Sequence, residues 1–357
     1  MKVGLLTGGG DCPGLNAVIR AVTRSLIRHC NAEVLGINGG FAGLMEKNTQ
    51  PLTWHSVEGL VGQGGTILGT TNRLDPLQSE ASAQTAMAHA EALGLDAVVA
   101  IGGDGTMTIA HGLAQRGLRV VGVPKTIDND IEGCERSFGF DTAMATATEA
   151  LERLRTTGQS HGRVMVLETM GRHAGWIALE AGVAGDADVI LLPEIDHDIH
   201  TVAHVCRQRE LRGKHTLICV GEGAKPRGGQ VTLDAPAPSD TGKPRLGGVA
   251  FALRDRLQPL IQSEVRATVL GHVQRGGPPT PFDRVLATQF GVHAAQLVLD
   301  GQFNRMVTLK GGALDSVPLS RVAGQNHRIG PNDPLLQMAR HVGISFGEPP
   351  GELATPA

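Results

Sequence analysis

The chain contains no tyrosine, only two tryptophans and eight phenylalanines, and no tract dense in lysine or arginine. A nucleic-acid surface needs a basic footprint, and single strands need aromatic platforms on which bases stack; neither is visible, so no nucleic-acid partner is expected. Cysteine is also scarce. Cys12, Cys30, Cys134, Cys206 and Cys219 are odd in number and form no CxxC pair. They read as reduced thiols of a cytosolic protein, each a small core hydrophobe. The histidines lack an HExxH element, which leaves a zinc site unsupported. There is no Walker A element. No apolar stretch is long enough for a membrane span, and Met1–Thr7 runs into glycine too soon for a secretion signal.

What the sequence has in excess is glycine. Its 49 copies are roughly twice the usual share, without a collagen-like period, and many stand in short clusters directly after apolar runs. Hydrophobic residues make up 41% and charged residues 19%, with a formal net charge of −3, a soluble globular balance. The 357 residues suffice for two domains that each bury a core. β-rich runs predict strands near 2–7, 33–37, 97–101, 119–123, 163–168, 188–192, 216–220 and 266–270. Leu15, Val18, Ile19, Val22 and Leu26 recur at the spacing of one buried helix face, and 79–93 and 141–157 are rich in helix formers. Strands alternating with helices imply parallel sheets covered on both faces. The expected domains are 1–140 with about 277–310, then 141–276 with a Pro- and Gly-rich excursion at 224–248, and a C-terminal extension over 311–357.

In open α/β sheets ligands collect at the carboxyl ends of strands, so the loops there matter most. After 2–7 comes Gly8-Gly9-Gly10-Asp11-Cys12-Pro13-Gly14. Glycines at such a turn expose N–H groups to a phosphate, although a tight turn without ligand fits this loop alone equally well. After 97–101 comes Gly102-Gly103-Asp104-Gly105-Thr106. One carboxylate among glycines suits a magnesium-bound polyphosphate; NAD kinases and diacylglycerol kinases carry the same motif. After 119–123 comes Pro124-Lys125-Thr126-Ile127-Asp128-Asn129-Asp130. Two carboxylates, a lysine and a hydroxyl offer a base for a substrate proton and a cation for a transferring phosphoryl group; a solvated acidic turn is the bland alternative. Met170–Trp176, Gly221-Glu222-Gly223 and Gly271–Gly277 follow later strands, and Arg163, Arg172, Arg266 and Arg275 lie at or near strand ends or starts. Any one arginine is more often a surface ion pair, but four beside glycine loops point to an anionic substrate.

The ordered set Gly9–Asn16, Gly102–Thr106, Pro124–Asp130, Met170–Arg172 and Gly271–Gly277 resembles the bacterial phosphofructokinase family over about residues 1–310. The resemblance implies two Rossmann-like three-layer α/β/α domains with mainly parallel sheets and an active site in the cleft between them. It implies phosphorylation of fructose 6-phosphate, with ATP as co-substrate and Mg²⁺. Asp128 would take the proton of the sugar 1-hydroxyl, and Thr126 and Arg172 would support the transferring group. Asp104 would hold Mg²⁺, while Gly10, Arg73, Gly103, Asp104, Gly105 and Thr106 line the nucleotide site. Met170, Gly171, Arg172, Glu222, His272 and Arg275 would bind the sugar phosphate. Arg163 and Arg266 match residues that family members supply across a subunit contact, so a homotetramer, or a homodimer with shared sites, is the implied assembly.

Family members divide by donor at two positions, and here these disagree. Gly105 resembles the ATP-using type; Asp there, as in pyrophosphate-using relatives, would repel the α-phosphate. Lys125 resembles the pyrophosphate-using type. ATP is the preferred donor because a lysine excludes neither. Pyrophosphate as donor, an NAD or lipid kinase, and a non-catalytic sugar-phosphate sensor are the rival readings. The basic cluster that binds allosteric nucleotide in family members is thinned, with Arg20, Arg24 and Arg155 kept but Trp54, Leu211 and Gly213 at positions where bases are expected.

Overall fold

The computed structural model describes residues 1–71, 74–235 and 245–349. In chain order its elements are β1 (Lys2–Thr7), α1 (Leu15–Cys30), β2 (Glu33–Ile37), α2 (Phe41–Glu46), β3 (Thr49–Leu52), α3 (Glu80–Ala92), β4 (Ala97–Gly102), α4 (Asp104–Ala114), β5 (Val120–Pro124) and α5 (Phe140–His161). They continue with β6 (Val164–Thr169), α6 (Trp176–Ala184), β7 (Val189–Leu191), α7 (Ile199–Glu210), β8 (Thr216–Gly221), β9 (Leu233–Ala235), β10 (Arg245–Leu246) and α8 (Val249–Leu257). The last are β11 (Val265–Val269), α9 (Pro281–Leu299), β12 (Arg305–Lys310), β13 (Ala313–Pro318) and α10 (Pro334–His341). The chain divides into two compact units, one of Met1–Thr142 with Arg275–His327, the other of Ala143–Gln274 with the chain from Arg328 on.

The first unit is built on a seven-stranded sheet in the order β13-β12-β5-β4-β1-β2-β3. Its five inner strands run parallel, and antiparallel β3 and β13 close the edges. Every residue of β4 and β5 is buried, as the continuous apolar runs of doubly covered parallel strands require. On one face the stripe Leu15, Val18, Ile19, Val22 and Leu26 of α1 is fully buried, each side chain contributing about 1.5–3 kcal/mol. α1 packs against α9, a helix that the sequence reading did not single out.

The second unit carries a parallel four-stranded sheet, β11-β6-β8-β7, over a core that includes Val166, Leu191, Ile218, Val220 and Leu253. The excursion read from sequence at 224–248 holds the short antiparallel pair β9–β10, and its central part, 236–244, lies outside the described residues. Buried Glu168 on β6 accepts from the backbone N–H groups of Gly248 (3.0 Å) and Ala250 (2.8 Å), capping α8 where its own N-cap, Gly248, has no side chain to do so. The stretch 311–357, expected to stand apart as an extension, is divided between the units. Residues 311–327 complete the first sheet and continue beyond it, while α10 buries Leu336 and Ala339 in the second unit. No described helix is long and apolar enough to cross a membrane.

Candidate active site

In the first sheet the chain leaves β1 towards β2 on one side, and leaves β4 towards β5 on the other. The carboxyl ends of β1 and β4 therefore flank a topological switch point, where connections diverge and open a crevice. The two glycine loops stand there. They touch, since the Gly8 N–H donates to the Ile101 carbonyl at 2.8 Å. Thr106, 5% exposed, fills the space between them. A Cβ on Gly8 would lie 2.6 Å from its Oγ1 and one on Gly102 would lie 2.2 Å away, so these two glycines serve packing. α1 and α4 begin on Gly14 and Gly103 without side-chain caps, as α2, α6 and α8 also do on Gly40, Gly175 and Gly248, whereas α3, α7, α9 and α10 carry Ser79, Asp198, Thr280 and Asp333 as caps. Helix starts without side-chain caps suit a phosphate.

Two cations converge on the first loop. Lys125, 3% exposed, leaves β5 and donates from Nζ to the Gly10 carbonyl. Burial pushes its pKa down, while the carboxylates of Asp11 and Asp128 are among the groups that raise it. Arg275 donates to the Asp11 carbonyl at 3.2 Å, and a Cβ on Gly10 would lie 2.8 Å from its guanidinium. Thr70 Oγ1 donates to the Gly9 carbonyl at 2.5 Å, which fixes the segment leading to Arg73; Arg73 itself lies outside the described residues.

The loop after β5 is held from within and from behind. Thr126 Oγ1 accepts from the Asp128 N–H at 3.0 Å and donates to Asp130 Oδ1 at 3.0 Å. Asn129 sits in the left-handed region at φ 52°, a conformation that asparagine tolerates better than most residues. Its buried side chain accepts from the Ser137 N–H (2.9 Å) and donates to the Glu135 carbonyl (3.2 Å), while Ser137 Oγ donates to the Thr126 carbonyl (2.9 Å). Half-buried Asp128 is thus carried on a doubly braced turn.

Asp104 and Gly105 open α4. Asp104 Oδ1 accepts from the Gly324 N–H at 2.9 Å. Gly105 is exposed, and a Cβ built on it meets no atom within 4 Å, so neither packing nor backbone angle demands glycine. The donor set fits Mg²⁺ of the kind that arrives with a polyphosphate: one hard carboxylate beside bare helix starts, the rest of the shell being water and phosphate. Among the described residues no group of three or more His, Cys, Asp or Glu could cage a metal.

In the second unit, Met170–Arg172 follows β6 and Glu222 follows β8. The Glu222 N–H donates to the Thr169 carbonyl (2.9 Å), and that of Gly223 to the Gly171 carbonyl (3.1 Å). Buried Gln274 accepts from the Met170 N–H (3.3 Å) and donates to the Gly271 carbonyl (3.1 Å), bringing the turn with exposed His272 to the same loop. Arg163 and Arg266 are elsewhere. Both pair with Glu264, Arg163 at 2.6 Å, at the amino ends of β6 and β11, about 20 Å of strand away from Met170.

Residues 2–298 match the family model described as phosphofructokinase. The chain belongs to the phosphofructokinase family. An ATP-dependent 6-phosphofructokinase of Chloroflexus aurantiacus is 48% identical over 356 residues, covering 97% of this chain and 98% of that protein. A pyrophosphate–fructose 6-phosphate 1-phosphotransferase of Streptomyces coelicolor is 45% identical over 348 residues, covering 97% of this chain and 100% of that protein. Phosphofructokinase from Saccharomyces cerevisiae aligns with a TM-score of 0.76 at 32% identity over 89% of this chain, which spans 45% of the yeast chain.

For this phosphofructokinase, sequence reasoning overlooked Asn129, Ser137, Gln274 and Gly324, all of which act through backbone groups. The Asp-Asn-Asp triplet was a usable signal for Asn129, since asparagine between two acids in a turn often marks a left-handed residue. At the thinned basic cluster, the Arg24 guanidinium lies 4.4 Å from the Trp54 ring centroid, and Arg155 pairs with Asp186 at 3.1 Å.

Proposed function

We propose that the protein transfers the γ-phosphoryl group of ATP to the 1-hydroxyl of D-fructose 6-phosphate, giving D-fructose 1,6-bisphosphate, as a cytoplasmic enzyme of glycolysis. Asp128 takes the hydroxyl proton as the oxygen attacks phosphorus, and ADP departs with the electrons of the broken phosphoanhydride bond. Thr126 and Arg172 support the transferring group; Met170, Gly171, Glu222, His272 and Arg275 bind the sugar phosphate. Arg275 also bonds to the glycine loop, so it can sense both ligands. Asp104 holds Mg²⁺, which offsets the charge of the β- and γ-phosphates when bound. Gly10, Arg73 and Gly103 to Thr106 line the nucleotide site. Arg163 and Arg266, distant from Met170 along their own strands, serve a neighbouring subunit's substrate in a homotetramer.

The observation that carries the donor assignment is Gly105, exposed in the first turn of α4 with no atom within 4 Å of a Cβ built there. An α-phosphate can pass such a residue, whereas an aspartate would meet it with like charge. Lys125 and the Streptomyces coelicolor relative support a second reading, a reversible transfer from pyrophosphate. A coupled assay with each donor separates the two. Turnover with ATP and little with pyrophosphate is expected; the reverse would refute the assignment.

A further inference from the structure

The final stretch of the first unit is bonded to both loops that carry carboxylates. The Gly324 N–H donates to Asp104 Oδ1 (2.9 Å) and is shared with Thr108 Oγ1 (3.1 Å). Asn326 forms an antiparallel bridge with Ile131. The His327 N–H donates to the Asp130 carbonyl at 2.8 Å, and His327 Nδ1 lies 3.4 Å from the Asn129 carbonyl. Four residues thus hold the start of α4 and the far end of the 124–131 loop. Gly324 has φ 72° and a Cβ there would meet nothing within 4 Å, so its glycine answers to backbone direction alone. That direction aims the N–H at the carboxylate.

We infer that Gly324–His327 is a positioning strap that fixes the Asp104 carboxylate through Oδ1, leaving Oδ2 for a cation, and holds the Asp128 turn in register with it. This rests on the proposed metal role of Asp104. The strap touches no substrate; it acts through the two loops. Because its hydrogen bond to Asp104 comes from a backbone N–H, the strap can be disturbed without changing any side chain that faces the ligands.

The test uses the full-length protein and a matched control. Gly301 has φ 68° and open space around its Cβ position, and lies in the same unit, so Gly301→Ala imposes the same backbone strain away from the site. Binding of Mn²⁺ in the presence of ADP is followed by electron paramagnetic resonance, alongside kcat and the KM for fructose 6-phosphate. Gly324→Ala is expected to weaken Mn²⁺ binding and lower kcat by about tenfold each, the scale of one hydrogen bond to a charged group, with that KM within about twofold. Gly301→Ala is expected to match its loss of thermal stability and leave both readouts unchanged. Gly324→Asn, which tolerates the left-handed region, is expected to recover most of the loss. Equal behaviour of the two alanine variants would overturn the strap. Asp104→Asn separates the failures: if it abolishes Mn²⁺ binding while Gly324→Ala is silent, the strap alone falls. If it leaves binding intact, the metal role of Asp104 falls and the strap with it.

Discussion

Gly105→Asp is the sharpest perturbation because the structure predicts opposite effects on stability and on donor use. Gly105 is the second residue of α4, exposed, and free of neighbours within 4 Å of a Cβ position. An aspartate there causes no clash. It replaces the poorest non-proline helix former, a gain of a few tenths of a kcal/mol, and adds an acid to the first turn, worth about 0.3–1 kcal/mol with the helix dipole. The variant should melt at or slightly above the wild-type temperature. Towards ATP, a carboxylate about 4 Å from a phosphate costs about 1 kcal/mol under full water screening and about 4 kcal/mol near a protein surface. Lost volume adds to that, so kcat/KM for ATP should fall by about 10²-fold or more. Pyrophosphate has no α-phosphate and should be spared. Steady-state assays with both donors, beside thermal melts, decide the matter. A well-folded variant whose kcat/KM for ATP stays within about threefold of wild type would refute the reasoning.

Three further outcomes follow from the same geometry. Asp128→Asn keeps the shape of the braced turn but removes the base, so kcat should drop by about 10²–10⁴-fold with a nearly unchanged melting temperature; full rate would reject Asp128 as the base. Lys125→Met keeps an apolar stem and loses the Nζ bond to the Gly10 carbonyl, so kcat/KM should fall to a similar degree with ATP and pyrophosphate, and a loss confined to pyrophosphate would make Lys125 a donor determinant. Asp283, fully buried, accepts from the Thr142 N–H (2.8 Å) and hydroxyl (2.5 Å), and burial raises its pKa from 3.8 to about 6. The folded state therefore binds the proton more tightly, so this group's contribution is most favourable below pH 3.8 and declines as pH rises to about 6. Asp283→Asn should gain relative to wild type between pH 4 and 7, by up to roughly 3 kcal/mol. Denaturant melts showing the same difference at both pH values would dismiss this account.

The parallel architecture was legible because its signal is local. Doubly buried strands read as unbroken apolar runs, and β1, β2, β4, β5, β6, β7 and β8 lie within a residue or so of where those runs put them. β3, β12 and β13, at or next to the edges of the first sheet, are another matter. β3 includes Pro51, and β12 and β13 mix apolar with charged residues, so neither alternation nor a continuous run marks them. Their place is set by hydrogen bonds to neighbouring strands distant in sequence or by turns. The chemical loops were legible for the same reason as the strands: each is the short polar segment that ends an apolar run. What supports those loops was not. Ser137 braces Thr126 across eleven positions and Gly324 meets Asp104 across two hundred and twenty, and a backbone N–H leaves no trace in residue type.

Lys125 shows how that gap alters a functional argument. From sequence alone, a lysine in the Pro124–Asp130 block can only be weighed as a contact for a ligand, and there it favours pyrophosphate. In the folded chain its amine is already committed to the Gly10 carbonyl, beside Gly9 and with Arg275 close to Gly10. Burial opposes the charge while Asp11 and Asp128 support it. A buried ammonium is costly unless hydrogen-bonded and charge-compensated; the Gly10 carbonyl, Asp11 and Asp128 offset part of that cost without any donor, while burial and Arg275 keep its pKa lowered. The lysine therefore has a structural task, bracing the glycine loop, that is the same whichever phosphoanhydride is used. Its presence no longer weighs against ATP. The choice of donor then rests on Gly105, where nothing in the protein's own packing or backbone calls for a glycine.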